Sequence, residues 1–122
     1  KGEVMLPECK RGIKIIADHY GINNQTVKLA EECSEYSASF FKSLGYSHLE
    51  SSRKAKKYYG RKKKSACIAN MKELADVLIL AKQIEYLINQ PDNTKIKILL
   101  DGYIAEKIKR QLIRIEEEKK NA

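Results

Sequence analysis

The stretch NMKELADVLILAKQIEYLI, residues 70–88, decides the fold class. Apolar side chains occur on almost every side of a helix drawn through it, which predicts a buried helix. Within its most apolar part, residues 74–88, three charged residues interrupt the run before it reaches the roughly 18 apolar residues that a membrane-spanning helix needs. We therefore predict a helix from about Ser65 to Asn89 that does not enter a membrane. It ends before Pro91, because the residue that precedes a proline avoids helical angles.

Three further helices are predicted around this one, over about 10–20, 24–44 and 94–119. Gly21 and Gly45 fit helix C-termini, and the side chain of Asn23 or Asn24 can cap the start of the second helix. No segment alternates polar and apolar residues as a strand does. The predicted fold class is all-α, a four-helix bundle-like single domain over residues 1–122.

Two segments interrupt the helical pattern. Residues 1–9 show no clear period and are predicted to be frayed. Residues 46–65 are predicted to form an exposed basic connection, because residues 53–64 hold eight Lys and Arg and no acid. The rest of the chain has 16 basic and 16 acidic residues, so this segment accounts for the whole net charge of +8. The basic balance is therefore not typical of a general nucleic-acid-binding surface.

The cysteines favour a reducing environment. Cys9, Cys33 and Cys67 show no CxxC spacing, which argues against a disulfide framework or a zinc site. We interpret them as small buried thiols of a cytoplasmic protein. Glu3 and Pro7 interrupt any apolar run that a signal peptide would need.

Two acid pairs carry the chemistry that the sequence predicts. Glu32 and Glu35 lie three residues apart on one predicted helix, and Glu73 and Asp76 on another. Residues at this spacing are about 4.5 Å apart along a helix and about 60° apart around it. Two such helices facing each other would gather four carboxylates, which are the oxygen ligands that Mg²⁺ prefers.

The two motifs in this order resemble those of the MazG-type all-α nucleoside triphosphate pyrophosphohydrolases. The matching stretches are QTVKLAEECSEYSASF (25–40) and NMKELADVLILAKQIEYLI (70–88), with ExxE in the first and ExxD in the second. The resemblance implies hydrolysis of a ribo- or deoxynucleoside triphosphate to the monophosphate and pyrophosphate. It also implies nucleotide-pool house-cleaning and a homodimer or homotetramer. The gap between Glu35 and Glu73 is longer than in most members.

Carried over, the resemblance assigns roles to particular residues. Glu32, Glu35, Glu73 and Asp76 would hold Mg²⁺ or Mn²⁺, and Glu35 or Glu31 would act as the general base. On the last helix three cations lie on one face at spacings of three and four and are candidates for the substrate phosphates. These are Lys107, Arg110 and Arg114.

The basic segment and the turn before the first motif leave alternatives open. Residues 53–64 can be a solvated connection, a lid that reaches the triphosphate, or a nucleic-acid contact. Residues 19–36 also resemble a helix-turn-helix, but Glu31, Glu32 and Glu35 would repel the DNA backbone. The alternative functions are a non-enzymatic helical module that binds nucleic acid through residues 53–64, and a phosphoribosyl-ATP pyrophosphohydrolase on the same fold.

Overall fold

The computed structural model describes residues 5–48 and 53–122, and their side chains except those of residues 46–48 and 53–59. Its elements are α1 (Pro7–His48), α2 (Arg53–Ile88), a 3₁₀ turn (Pro91–Asn93) and α3 (Thr94–Asn121). No strand occurs in these ranges, which confirms the all-α class. The chain forms two compact units, Lys1–Leu87 and Ile88–Ala122. The single domain over residues 1–122 stays a prediction.

The first helix begins earlier than the sequence predicts. Pro7 opens α1, where its fixed φ suits the first helical turn and its missing N–H is not needed. The Leu6 carbonyl accepts hydrogen bonds from the backbone N–H groups of Cys9 and Lys10, at 3.0 and 3.2 Å. The prediction that residues 7–9 are frayed is therefore wrong, and its part over residues 1–4 lies outside the described residues.

Gly21 interrupts α1 at the position where the sequence predicts a helix end. Its φ of 82° and ψ of 168° are not helical, and this backbone region is open almost only to glycine. The sequence predicts Asn23 or Asn24 as an N-cap. The Asn24 amide instead donates to the Tyr20 carbonyl at 2.9 Å, which satisfies an acceptor of the segment that ends there.

The basic connection is shorter than predicted, because both helices extend into it. The first helix continues past Gly45 to His48, and the second begins at Arg53 rather than near Ser65. Lys, Arg and Ala are good helix formers, and the single Gly60 costs only about 1 kcal/mol. The segment predicted as a connection with some helix, residues 46–65, is thus helical over 46–48 and 53–65, and residues 49–52 lie outside the described part of the chain.

The turn between α2 and α3 follows the prediction. The second helix ends at Ile88, and Gln90 has the extended backbone (φ −75°, ψ 148°) expected before a proline. Asn93 occupies the N-cap position of α3. The Thr94 hydroxyl donates to the Pro91 carbonyl at 2.7 Å.

The face of α1 that packs against α2 is polar. The Gln25 amide donates to the Gln83 side-chain carbonyl, and the Ser39 hydroxyl donates to Asn70. The Asn70 amide donates to the Ser43 hydroxyl at 2.8 Å. Gln25, Ser43 and Gln83 are all buried. We call these five residues the polar seam.

The large apolar side chains are mostly exposed on this chain. Among the described residues, the buried apolar side chains are Ala17, Leu80 and Leu87. In contrast, Phe41 is 67% exposed and Met71 is 71% exposed. The prediction that the helix over residues 65–89 is buried all round is therefore wrong for the chain by itself. The described helices include none with a stretch long and apolar enough to cross a bilayer.

Candidate metal centre

Three of the four predicted metal ligands meet between α1 and α2. Carboxylate oxygens of Glu32, Glu35 and Glu73 lie within 4.8 Å of one another. The two residues of α1 are one helical turn apart, so both can reach the residue that α2 presents to them. We call these three residues the acid cluster.

Asp76 is exposed and is not part of this group. It lines the adjoining cavity with Glu32 instead. Because Asp76 follows Glu73 by three residues, its side chain points about 60° away from that of Glu73 around the helix axis. This rotation places Asp76 at the edge of the acid cluster rather than in it.

The cluster contains buried oxygens without a donor. Glu32 is only 8% exposed. Within the described part of the chain, Oε2 of Glu32 and Oε2 of Glu73 are buried and have no hydrogen-bond partner. A buried carboxylate oxygen left unpaired is costly, and native proteins rarely leave one so. A proton, a cation or a buried water molecule would satisfy these oxygens.

The neighbouring carboxylates also favour the protonated form of Glu35. The pKa of Glu35 is raised, first by hydrogen bonding with Glu32 and by the charge of that carboxylate, then by desolvation and the charge of Glu73. A proton held by Glu35 can be donated to Glu32 and relieves part of the repulsion. A metal ion would replace this proton, so protons and metal compete for the cluster.

Lys28 is the neighbour that the sequence motifs do not include. Its Nζ lies 3.4 Å from Oε1 of Glu32 and 3.5 Å from Oε2 of Glu31. The pKa of Lys28 is raised, first by hydrogen bonding with Glu32 and by its charge, then by Glu31. The spacing of four residues between Lys28 and Glu32 predicts this ion pair from the sequence. Glu31 is thus directed toward Lys28, outside the acid cluster.

A cavity of about 470 Å³ adjoins the cluster on the side of Gly21. Its lining combines an aromatic ring, amides, apolar side chains and charged groups. These residues are Tyr20, Asn24, Gln25, Lys28, Glu32, Asp76, Ile79 and Leu80. A lining of this mixed kind suits a small molecule with a flat polar ring.

The cations predicted to bind phosphate lie on α3, in the second unit. Lys107, Arg110 and Arg114 are all exposed. The Arg110 guanidinium pairs with Glu106 at 2.6 Å. Their role toward phosphate stays a prediction.

The three cysteines are exposed, so the prediction of buried thiols is wrong. Cys33 lies on the outer face of α1, away from the polar seam. That face carries apolar residues such as Val27 and Phe41, which are also exposed.

Comparison of the chain with models of protein families, with curated proteins and with solved structures gave no match. The resemblance to the MazG-type family therefore depends on the motifs of this chain. The geometry of the acid cluster is an observation independent of that resemblance.

Proposed function

We propose that the chain is a metal-dependent nucleoside triphosphate pyrophosphohydrolase. The observation that carries this proposal is the convergence of Glu32, Glu35 and Glu73, with two buried carboxylate oxygens that have no donor among the described residues. Such a set of hard oxygen donors fits Mg²⁺ or Mn²⁺, which are usually shared with substrate phosphates.

The proposed metal ligands are the acid cluster together with Asp76. Asp76 lines the adjoining cavity with Glu32, and this proximity is what supports its inclusion. When bound, the metal would neutralise charge on the phosphate oxygens. The chain's own residues position the nucleotide and move the proton.

Glu35 is better placed than Glu31 to act as the general base. It belongs to the acid cluster and is solvent-exposed, whereas Glu31 faces Lys28. In the proposed step the water oxygen bonds to the α-phosphorus, and Glu35 takes one proton. The bond from that phosphorus to the bridging oxygen breaks, and pyrophosphate leaves with the electron pair.

The nucleoside is proposed to occupy the cavity on the side of Gly21. The ring of Tyr20 is 53% exposed there and offers a surface on which a base can stack. Asn24 and Lys28 supply polar contacts at the same cavity. This position leaves the sugar and the α-phosphate nearest to Glu32.

The active form is proposed to be a homodimer or homotetramer that completes a four-helix bundle-like core. No residue of α3 is buried, and side chains such as Leu99 (59% exposed) and Leu112 (58% exposed) line it. Large exposed apolar patches mark interaction sites in folded proteins. A second copy offers the same apolar faces, as symmetric assemblies require. We propose a cytoplasmic location for this enzyme.

The test is pyrophosphate release from a panel of ribo- and deoxynucleoside triphosphates and phosphoribosyl-ATP, with Mg²⁺, Mn²⁺ or chelator. We expect metal-dependent release of pyrophosphate with an equal amount of monophosphate. Glu32→Gln should abolish it, and Glu8→Gln, an exposed acid on the same helix, should not. Release from phosphoribosyl-ATP alone would assign the alternative substrate. No release from any substrate would contradict the proposal.

A further inference from the structure

A second cavity lies between α1 and α2, toward the ends of the two helices at His48 and Arg53. It measures about 640 Å³. Lys42 of α1 and Arg61 and Lys62 of α2 line it, with Ser39, Ser65 and three alanines. None of the described lining residues is acidic. We call it the cationic groove.

The cationic groove lies on the same faces of α1 and α2 as the acid cluster. Lys42 follows Glu35 by seven residues, which returns the side chain to within about 20° of the same face, about 10 Å along the helix. Lys62 precedes Glu73 by eleven residues, again within about 20°. The charge therefore changes sign along one continuous face, from carboxylates to cations.

The residues between the two sites are small. Ser39, Ala66 and Ala69 lie between the acid cluster and the cations, and small side chains leave the groove open to a ligand. The Ser39 hydroxyl is already bonded to Asn70, which fixes that wall through the polar seam. The groove has no aromatic side chain among its described lining, so it does not suit a base or another flat ring.

We propose that the cationic groove binds the β- and γ-phosphates of the substrate, the part that leaves as pyrophosphate. This inference rests on the proposed function. The nucleoside cavity, the acid cluster and the cationic groove follow one another along the helix pair. A nucleotide with its α-phosphate at Glu35 extends its remaining phosphates toward Lys42, which lies about 10 Å further along α1. Arg61 contributes a planar guanidinium that can contact two phosphate oxygens at once.

The proposal gives a role to part of the basic segment and to a residue outside it. Lys42 lies more than ten positions before residues 53–64, and only the packing of α1 on α2 brings it into the same groove. Cations at this position stabilise the charge that develops on the leaving pyrophosphate.

The experiment is calorimetric titration of the full chain with inorganic tripolyphosphate in the presence of Mg²⁺. The variants are Lys42→Gln, Arg61→Gln and the double variant, with Lys82→Gln as an exposed control on α2 that does not line the groove. We expect each single variant to weaken binding about ten-fold, and the control to bind as the wild type does. Arg61→Lys, which keeps the positive charge, should bind more tightly than Arg61→Gln. If Arg61 had only a structural role, this difference would not be seen.

A second titration uses a single-stranded RNA oligonucleotide at the same ionic strength, since nucleic acid presents the same phosphate chemistry. Loss of tripolyphosphate affinity in the variants supports the proposal. Unchanged tripolyphosphate affinity in the double variant, or a loss that affects the oligonucleotide alone, overturns it. The titration needs no turnover. It therefore tests whether the groove binds phosphate even where the substrate panel shows no hydrolysis. In groove variants that remain active, we expect a raised KM and an unchanged Tm increase on adding metal. This pair of results would show that the groove acts on the substrate and not on the metal held by the acid cluster.

Discussion

The polar seam and the outer faces of the helices contain opposite kinds of residue. Where α1 meets α2, amides, hydroxyls and carboxylates make contacts, such as Gln25 with Gln83, beside the buried side chains of Leu80 and Leu87. The faces outside the seam carry large apolar side chains, of which Phe41 and Leu112 are both more than half exposed. Burial of apolar area is the main stabilising term in folding. The seam is therefore suited to hold a site, whereas the outer faces are suited to hold the assembly together.

The largest expected effect comes from removing a charge at the acid cluster. Glu73→Gln should lower turnover by more than about 100-fold, because losing even a partner of a metal ligand costs 10- to 100-fold. The metal-free protein should be as stable as the wild type or more so, since one buried charge is gone. Steady-state kinetics and thermal melting with chelator measure the two quantities. Full turnover by this variant would show that the acid cluster is not the site.

Substitution on the outer faces should change the oligomeric state of the protein. Leu112→Glu introduces a charge into the apolar face of α3 and should dissociate the proposed homo-oligomer, as light scattering during size-exclusion chromatography would show. Lys109→Glu, on the same helix, is the control for added charge. If Leu112→Glu leaves the mass unchanged, the apolar face of α3 is not the contact between copies.

Gly21 should prove more sensitive to substitution than a helical glycine. Gly21→Ala places a side chain at a φ of 82° and should destabilise the protein by about 1–3 kcal/mol. Gly12→Ala, within α1 and with open space around it, should instead gain about 0.5–1 kcal/mol. Urea unfolding of both variants measures the difference. Equal stabilities would mean that the helix does not break at Gly21.

The polar seam should be sensitive to the loss of one partner and tolerant of the loss of both. Gln83→Ala leaves the buried Gln25 amide without its acceptor and should cost about 1–3 kcal/mol. Replacing both glutamines by leucine should cost less, because no buried polar group is then left unpaired. A double variant less stable than Gln83→Ala would show that the seam tolerates only polar contacts.

The smallest effect is a pH dependence of the acid cluster. The folded, metal-free protein binds a proton at Glu35 more tightly than the unfolded chain does, because its pKa is raised above 4.5 by Glu32 and then by desolvation and Glu73. This contribution to stability is complete below 4.5 and is lost as the pH rises through the raised pKa.

Metal binding requires the ionised carboxylate, so the stabilisation by metal depends on pH in the opposite direction. The Tm increase caused by Mg²⁺ should shrink as the pH falls from neutrality toward 4.5. Melting curves with Mg²⁺ and with chelator across that range measure it. A shift that grows on acidification would mean that Glu35 does not bind the ion.

The sequence predicts the local structure well at Gly21 and Pro91, but not at Gly45, where the helix continues. The break at Gly21 and the turn before Pro91 both occur where expected. The start of α2 at Arg53 differs from the predicted start near Ser65 because lysine and arginine favour helices even where they are dense. Burial was missed for a different reason. The apolar stripes are visible in the sequence, but whether one chain can cover them is a property of packing, not of the pattern.

The candidate site is predicted in part for a geometric reason. Spacing of three residues places Glu32 and Glu35 on one face of α1, and both reach Glu73. The same spacing on α2 brings Glu73 into the cluster and leaves Asp76 lining the adjoining cavity, because the packing of the two helices decides which members of each pair meet. The position of Lys42 in the cationic groove depends on how α1 and α2 pack, which the separate motifs do not encode.

The most direct test of the central claim, that the acid cluster holds a divalent cation, is a Mn²⁺ titration followed by the EPR signal of the free ion. We expect the wild-type protein to remove Mn²⁺ from solution and Mg²⁺ to displace it. Glu32→Gln and Glu73→Gln should lose this binding, and Glu8→Gln should keep it. Binding that is unchanged in both cluster variants, or absent from the wild type with and without nucleotide, would contradict the account.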